Sequence, residues 1–241
     1  MDILYIIGPC SKTDDFELRC SLRSLEMNGE NIRNVYISGY CPEWLSDEVV
    51  KVPVENVIKN PQNIFEKHIN ILNCVLYTID NTDIEDEFLV SMDDHYYVRT
   101  TDFDNYPYYA KKVGLFSKHK NYDALLKKTE SFLNDKNLSK INFTLHRNMH
   151  CKKDIIRRCC DEYPELKTIG IEPWLVFLNY QYTKEGFEFE YTDDVKIYNG
   201  GQWWKASPYN THVMSTNDFD LESGLHVMLK NTFNKKSKYE I

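Results

Sequence analysis

Residues Glu87-Phe88-Leu89-Val90-Ser91-Met92-Asp93-Asp94-His95-Tyr96-Tyr97-Val98 form a short apolar run that breaks into two acids and a histidine. That is the pattern of a buried central strand whose C-terminal end carries a site. Adjacent carboxylates there repel each other and resist desolvation, costs that a divalent cation with an anionic ligand would relieve. The stretch therefore reads in two ways. It is a metal-dependent site for a nucleotide diphosphate, or a strand running into a polar turn, where Asp is common.

The residues before it supply matching elements. Residues 3–7 read as a first buried strand ended by Gly8-Pro9. Asp14 and Glu17 have capping-box spacing ahead of Leu18, Leu22 and Leu25, which predicts a helix over 15–28 that stops at Gly29. Arg19 and Arg23, four apart, share a face of that helix as surface charges or phosphate ligands. Residues 34–39 and 49–54 read as further strands, Pro53 marking an edge or an end. Asn60-Pro61 reads as the cap and first position of a second helix, with Ile64, His68, Leu72, Val75, Leu76 and Ile79 at helical spacing. This order predicts an α/β fold, a mainly parallel sheet flanked by helices. Such sheets bind ligands beyond their C-terminal strand ends, where Gly8, Gly39 and Asp93-Asp94 all fall.

Beyond Val98 the pattern loosens. Strands over 112–117, 141–146, 187–191 and 195–198 are expected, with helices over 122–134, 152–163 and from Pro173 through Tyr182. Residues 234–238 read as frayed. No internal repeat or long linker interrupts the chain, so one domain over 1–241 is expected, with a nucleotide-binding half (1–110) and an acceptor half carrying a C-terminal elaboration (111–241).

A net charge of −8 argues against a general nucleic-acid binder. Residues 111–158 nevertheless hold 13 Lys and Arg against 4 Asp and Glu. That block is a solvated helical face or one wall of a groove for a polyanionic acceptor. Seven cysteines, without a Cys-x-x-Cys pair, predict reduced thiols and a cytoplasmic protein. Residues 2–7 are too short for a membrane span and carry an acid where a signal peptide has positive charge.

Three blocks carry a resemblance. Glu17-Leu18-Arg19-Cys20-Ser21-Leu22-Arg23-Ser24-Leu25, then Ile32-Arg33-Asn34-Val35-Tyr36-Ile37 and Pro42-Glu43-Trp44-Leu45, resemble the E-L-R-x-S-L-R-S…I-R-x-I-Y-I…P-x-W-L segment of the Stealth family of sugar-1-phosphate transferases. Phe88 to Tyr97 is similar to that family's F-x-x-x-x-D-D-x-F segment, and His146 to Glu165 to its H-x-P…Y-P-E segment. The resemblance implies a GT-A-type, Rossmann-like nucleotide-sugar transferase fold. The chain departs from the family in running almost directly from Gly8-Pro9 into the helix, in having Asn148 where the family has proline, and in lacking recognisable late segments. Those departures bear on phosphate transfer more than on use of a nucleotide sugar. The first reading is therefore a compact GT-A glycosyltransferase with a UDP-sugar donor, a type that includes viral enzymes acting on modified DNA bases.

Such an enzyme must meet the charge gathering on the diphosphate as the anomeric bond breaks, using a divalent cation, Mn2+ or Mg2+, and cationic side chains. Asp94 is then the first metal ligand, while Asp93 binds ribose or a metal-bound water. His95 stands where the D-x-D pattern has its second acid, and either ligates or shapes the turn. His212 stands where GT-A enzymes supply a late histidine, or is structural. Gly8, Pro9, Arg19 and Arg23 are candidates for holding the donor diphosphate. Trp203 and Trp204 stack on a sugar or acceptor base, or pack as a lid. Glu172 is the candidate base or a helix-capping acid, and His146 the rival base or a phosphate ligand. Two other classes stay open: a metal-dependent nuclease using Asp93, Asp94, His146 and His150, and a catalytically silent binding domain.

Overall fold

Strand β1 (Asp2–Ile7) divides its side chains between two cores, Ile3, Tyr5 and Ile7 facing one and Leu4 the other, as period-two geometry requires. The computed structural model describes residues 1–9, 14–193, 196–197, 212–216 and 224–241. Among them α1 (Phe16–Asn28) runs into the short β2 (Gly29–Glu30), followed by β3 (Val35–Gly39), β4 (Val49–Pro53), α2 (Ile64–Asn81), β5 (Glu87–Ser91) and β6 (His95–Tyr97). The strands β3, β4 and β5 join β1 in one parallel sheet, with β4 at its edge as Pro53 foretold. The carboxylate of Asp2, fully buried, accepts from Arg33 Nε at 2.9 Å and from the backbone N–H groups of Asn34 and Glu85 at 3.1 and 2.8 Å. It thereby ties the start of β1 to the segments entering β3 and β5.

Two helix starts differ from expectation. Asp14 and Asp15 both adopt positive φ, 52° and 56°, and no capping box forms; Asp15 Oδ2 instead accepts from Trp44 Nε1 at 3.1 Å. The cap of α2 is Asn63, whose side chain accepts from the Glu66 N–H at 3.0 Å, three residues beyond the expected Asn60.

After β7 (Thr101–Asp102) and β8 (Tyr109–Ala110) come α3 (Lys120–Asp135), β9 (Met149–Lys152), α4 (Lys153–Glu162), α5 (Leu166–Ile169) and α6 (Pro173–Glu185). Residues 112–117 and 141–146, expected as strands, do not form them. The Asn142 amide donates to the Val113 and Gly114 carbonyls at 3.1 and 3.0 Å, and its oxygen accepts from the Thr144 N–H at 3.1 Å. Side-chain bonds thus stand in for a ladder. The fifth strand of the main sheet is β9, antiparallel to β5, with Met149 opposite Val90. The helices α2, α4 and α6 bury the face that Leu4, Tyr36, Phe88 and Val90 share.

Toward the C terminus lie β10 (Glu190–Tyr191), β11 (Lys196–Ile197), β12 (Val213–Thr216) and α7 (Gly224–Thr232). A small sheet of β11, β12 and β6 packs with α7 around Cys20, Tyr96, Met214 and Leu229. Among the described residues no helix is long and apolar enough to cross a membrane.

The last residues are docked rather than frayed. The Glu240 side chain, 1% exposed, accepts from Arg23 Nε and Nη2 at 2.7 Å each, from Arg19 Nη1 at 3.2 Å and from the Ser237 N–H at 3.0 Å. The Ile241 N–H reaches the Trp44 carbonyl at 2.9 Å. Burial works to raise the Glu240 carboxyl's pKa, but the Arg23 and Ser237 hydrogen bonds outweigh it and hold the pKa below its ordinary value. Glu240→Ala is expected to cost about 3 kcal/mol, because it strands a partly buried guanidinium. The melting temperature should fall by roughly 6–12 °C. A melt unchanged within error would mean that the tail contributes nothing to the fold.

Candidate active site

The parallel strands bring Gly8, Pro9 and the Asp93-Asp94 turn to one edge, since Ser91 lies opposite Tyr5 in the ladder. Antiparallel pairing of β5 with β9 carries the loop before Met149 to the same edge. There a cavity of about 230 Å³ opens, lined by Met92, His95, Tyr122, Phe143, Thr144, His146, His68, Glu172 and Trp174 among others. Three residues singled out from the sequence, His95, His146 and Glu172, therefore share one wall system. His68 and Tyr122 join them without having been singled out. The signal for His68 was present: an ionisable ring at a position of the apolar α2 stripe.

The close approach of the chain before α6 to the start of α2 explains the pairing of His68 with Glu172. Gly170 has φ +59°, and a Cβ on it would sit 2.3 Å from the Phe65 carbonyl oxygen, so only glycine permits the contact. On the other side, α3 fixes the same segment: the Lys128 ammonium donates to the Ile169 carbonyl, and the Glu172 N–H donates to Thr129 Oγ1 at 3.0 Å. Glu172 takes the N-cap position of α6, but its side chain makes no capping bond. It turns instead to His68, with Oε2 3.2 Å from Nε2, and accepts from the Tyr122 hydroxyl at 3.4 Å. The carboxyl is 8% exposed and the imidazole 11%.

The protons in this pair follow from its partners. His68 Nδ1 lies 2.8 Å from the Ile64 carbonyl, which only accepts, so Nδ1 carries hydrogen. Nε2 then faces Glu172 Oε2. Burial disfavours the imidazolium, but the charge and hydrogen bond of Glu172, with the Ile64 carbonyl, outweigh it and raise the His68 pKa. The pair's stabilisation is thus present below the ordinary histidine pKa and lost as pH rises through the raised one. Both contacts to Glu172 fall on Oε2. Among the described residues Oε1 makes no hydrogen bond, and it belongs to a side chain lining the cavity.

His95 is 1% exposed and shapes the turn. The Met92 N–H donates to its Nδ1 at 3.4 Å, and the His95 N–H closes back onto the Met92 carbonyl at 3.2 Å. His95 Nε2 lies 4.0 Å from Asp94 Oδ1. His212 is not brought to Asp94. Its carbonyl accepts from the Val98 N–H at 2.9 Å, and the register sets Ser215 opposite His95, so His212 lies several strand positions away. Its Nδ1 is 2.9 Å from the Thr100 carbonyl. Arg19 and Arg23 are taken up by Glu240, Arg19 also stacking 3.9 Å over Trp44. Trp203 and Trp204 lie outside the described residues.

Asp93 and Asp94 carry oxygen donors of the kind a hard divalent cation takes. Asp93 is exposed and Asp94 is 20% exposed, with Lys196 Nζ 3.8 Å from Asp94 Oδ2. Among the described residues no three His, Cys, Asp or Glu side chains gather into a complete metal cage. Hard cations such as Mg2+ are commonly held by one or two carboxylates together with substrate phosphates, which is the donor set Asp93-Asp94 offers.

His150 does not join them. Its Nε2 donates to the Tyr106 carbonyl at 2.5 Å, and its ring stacks 4.2 Å from Tyr108. Burial, against the opposing pull of that carbonyl, pushes its pKa down to about 4. The unfolded chain therefore takes up a proton that the fold refuses. Stability should fall as pH drops from the ordinary histidine value toward 4, by as much as about 3 kcal/mol. Urea midpoints measured across that range should decline less steeply in His150→Gln; equal slopes would contradict the assignment.

Part of the basic block is ion-paired. Lys127 pairs with Asp123, Lys136 with Glu165, Lys152 with Glu87, Arg157 with Asp80 and Arg158 with Asp154. The six cysteines among the described residues are free thiols, and burial raises the pKa of Cys20 to about 12.

No family model matches the chain, and no curated protein is similar to it in sequence. Solved structures are similar. The galactosyltransferase LgtC in complex with donor and acceptor sugar analogs has TM-score 0.50 and 14% identity, with 99% of this chain and 97% of that one covered. An active-site mutant of LgtC gives 0.46 and 13%, with 99% and 98% covered. The apo-form glycosyltransferase GlyE of Streptococcus pneumoniae TIGR4 gives 0.39 and 12%, with 97% and 60% covered. At such identity the likeness to LgtC is one of fold, and the chain has the GT-A-type architecture of a mainly parallel sheet flanked by helices.

Proposed function

We propose that the protein transfers a sugar from a nucleotide-sugar donor, a UDP-sugar in the first instance, to a hydroxyl of a glycan, with Mn2+ or Mg2+ held at Asp94 and Asp93. The observation that carries this reading is the Glu172 carboxylate, buried, fixed through Oε2 by His68 and Tyr122, and lining a cavity with room for one monosaccharide. That cavity lies beyond the C-terminal end of β5, where open α/β sheets bind ligands. Glu172 Oε1 takes the proton of the acceptor hydroxyl, and His68 holds the carboxylate in position. The cation, when bound, would neutralise charge on the diphosphate leaving group.

One observation favours a second reading, transfer of a sugar 1-phosphate to a glycan as in the Stealth family. His146, in one of the blocks that resemble it, lines the same cavity, where it would meet a phosphate. A modified DNA base as acceptor draws support from the basic segment, weakened by the ion pairs that occupy it. The reading also keeps the protein in the cytoplasm, where nucleotide sugars are made and its thiols stay reduced.

The test is a thermal-shift screen of nucleotide sugars with manganese, followed by product analysis for any hit. A nucleotide sugar that raises the melting temperature only with the metal is the expected result. Stabilisation by no nucleotide sugar, together with cleavage of nucleic acid in manganese, would replace this reading with a nuclease.

A further inference from the structure

The segment that runs from β8 into the start of α3 presents a surface that sugar transfer does not use. From Lys111 to Asn121 it holds Lys111, Lys112, Lys118, His119 and Lys120 and no acid, in a chain of net charge −8. Val113 and Phe116 project from it, 53% and 59% exposed, while Leu115 between them is buried in the core. Lys112, Lys118 and Lys120 are exposed beside them.

The loop has a fixed shape. Asn142 holds the Val113 and Gly114 carbonyls, and the Asp123 carboxylate accepts from the Ser117 N–H at 3.0 Å. Lys112 Nζ lies 6.0 Å over the ring of Tyr191, itself 55% exposed, so a further aromatic stands at the same edge. Apolar side chains held out in water and ringed by lysines are the composition of an interfacial anchor, whose apolar tips enter the headgroup boundary while the cations meet lipid phosphates. A single-stranded nucleic acid could stack on Phe116 and Tyr191 but would leave the projecting Val113 without a role, whereas a headgroup layer takes up all three.

We propose that the 111–120 loop docks the protein on an anionic phospholipid surface, with Val113 and Phe116 entering the headgroup layer and Lys112, Lys118 and Lys120 facing phosphates. Asn142, which fixes the loop, is followed in the chain by Phe143 and Thr144 of the cavity wall, so the docked surface adjoins the reaction site. None of the docking residues contributes to Glu172 or its partners, and the proposal stands or falls apart from the catalytic reading.

Co-sedimentation of the whole chain with sucrose-loaded vesicles tests it. Binding is expected to phosphatidylcholine mixed with phosphatidylglycerol and not to phosphatidylcholine alone, and it should weaken with added salt. The pairs V113S/F116S and K118E/K120E should each lower the partition coefficient about tenfold or more. Melting curves establish that each variant is folded, and either pair alone suffices to decide. Absent binding, binding insensitive to the substitutions, equal binding to neutral vesicles, or displacement from vesicles by duplex DNA acting through the same lysines would each overturn the proposal.

Discussion

Glu172→Gln should slow transfer by on the order of 10²- to 10⁴-fold while leaving donor affinity unchanged. The amide keeps the shape of the side chain, so the cavity wall and the Tyr122 contact persist. It cannot take a proton, and it removes the charge that raises the His68 pKa against its burial. His68 should therefore lose its elevated pKa in the variant, which NMR titration of the ring would report alongside turnover and donor binding. Turnover equal to that of the parent protein would remove Glu172 as the base. Loss of donor binding at unchanged turnover per bound donor would make it a binding residue instead.

Asp94→Ala should abolish the manganese dependence of donor binding, with a loss of affinity on the order of a hundredfold. Little stability should go with it, because Asp94 is partly exposed and its pairing with Lys196, at 3.8 Å, is long. Asp93→Ala should cost less, since that residue has the supporting role. Calorimetric titration of donor with and without manganese separates the outcomes. A variant that still binds or hydrolyses donor in a metal-dependent way would sink the assignment of the ion to this turn.

What could be read from the residues and what could not divides along physical lines. The helices α1 and α2 were legible because the 3.6 period of a buried stripe survives in the sequence, and β1, β3, β4 and β5, which feed both cores, because each is a short apolar run closed by turn residues. Residues 141–146 alternate Ile141, Phe143 and Leu145 as a strand would, yet the alternation belongs to a loop that Asn142 stitches together with its side chain. Periodicity reports which side chains are buried and is silent on where the backbone hydrogen bonds go. Arg19 and Arg23 looked free for a diphosphate because their partner, Glu240, is more than two hundred positions away. Glu172 was legible as a charged residue before Pro173, but its pairing with His68 depends on the Gly170 contact with Phe65, a tertiary approach that no local pattern encodes.

The antiparallel strand β9 has a consequence for the order of folding. The strands β1, β3, β4 and β5 pair within the first half of the chain, whereas the cavity needs His68, Met92, His146 and Glu172 together, and no fragment lacking either end of that span contains it. Closing such long loops is entropically slow, so the cavity should still be open at the folding transition state and close afterward. A donor bound there would then leave the folding rate unchanged and slow unfolding, acting on the lifetime of the native protein rather than on its formation.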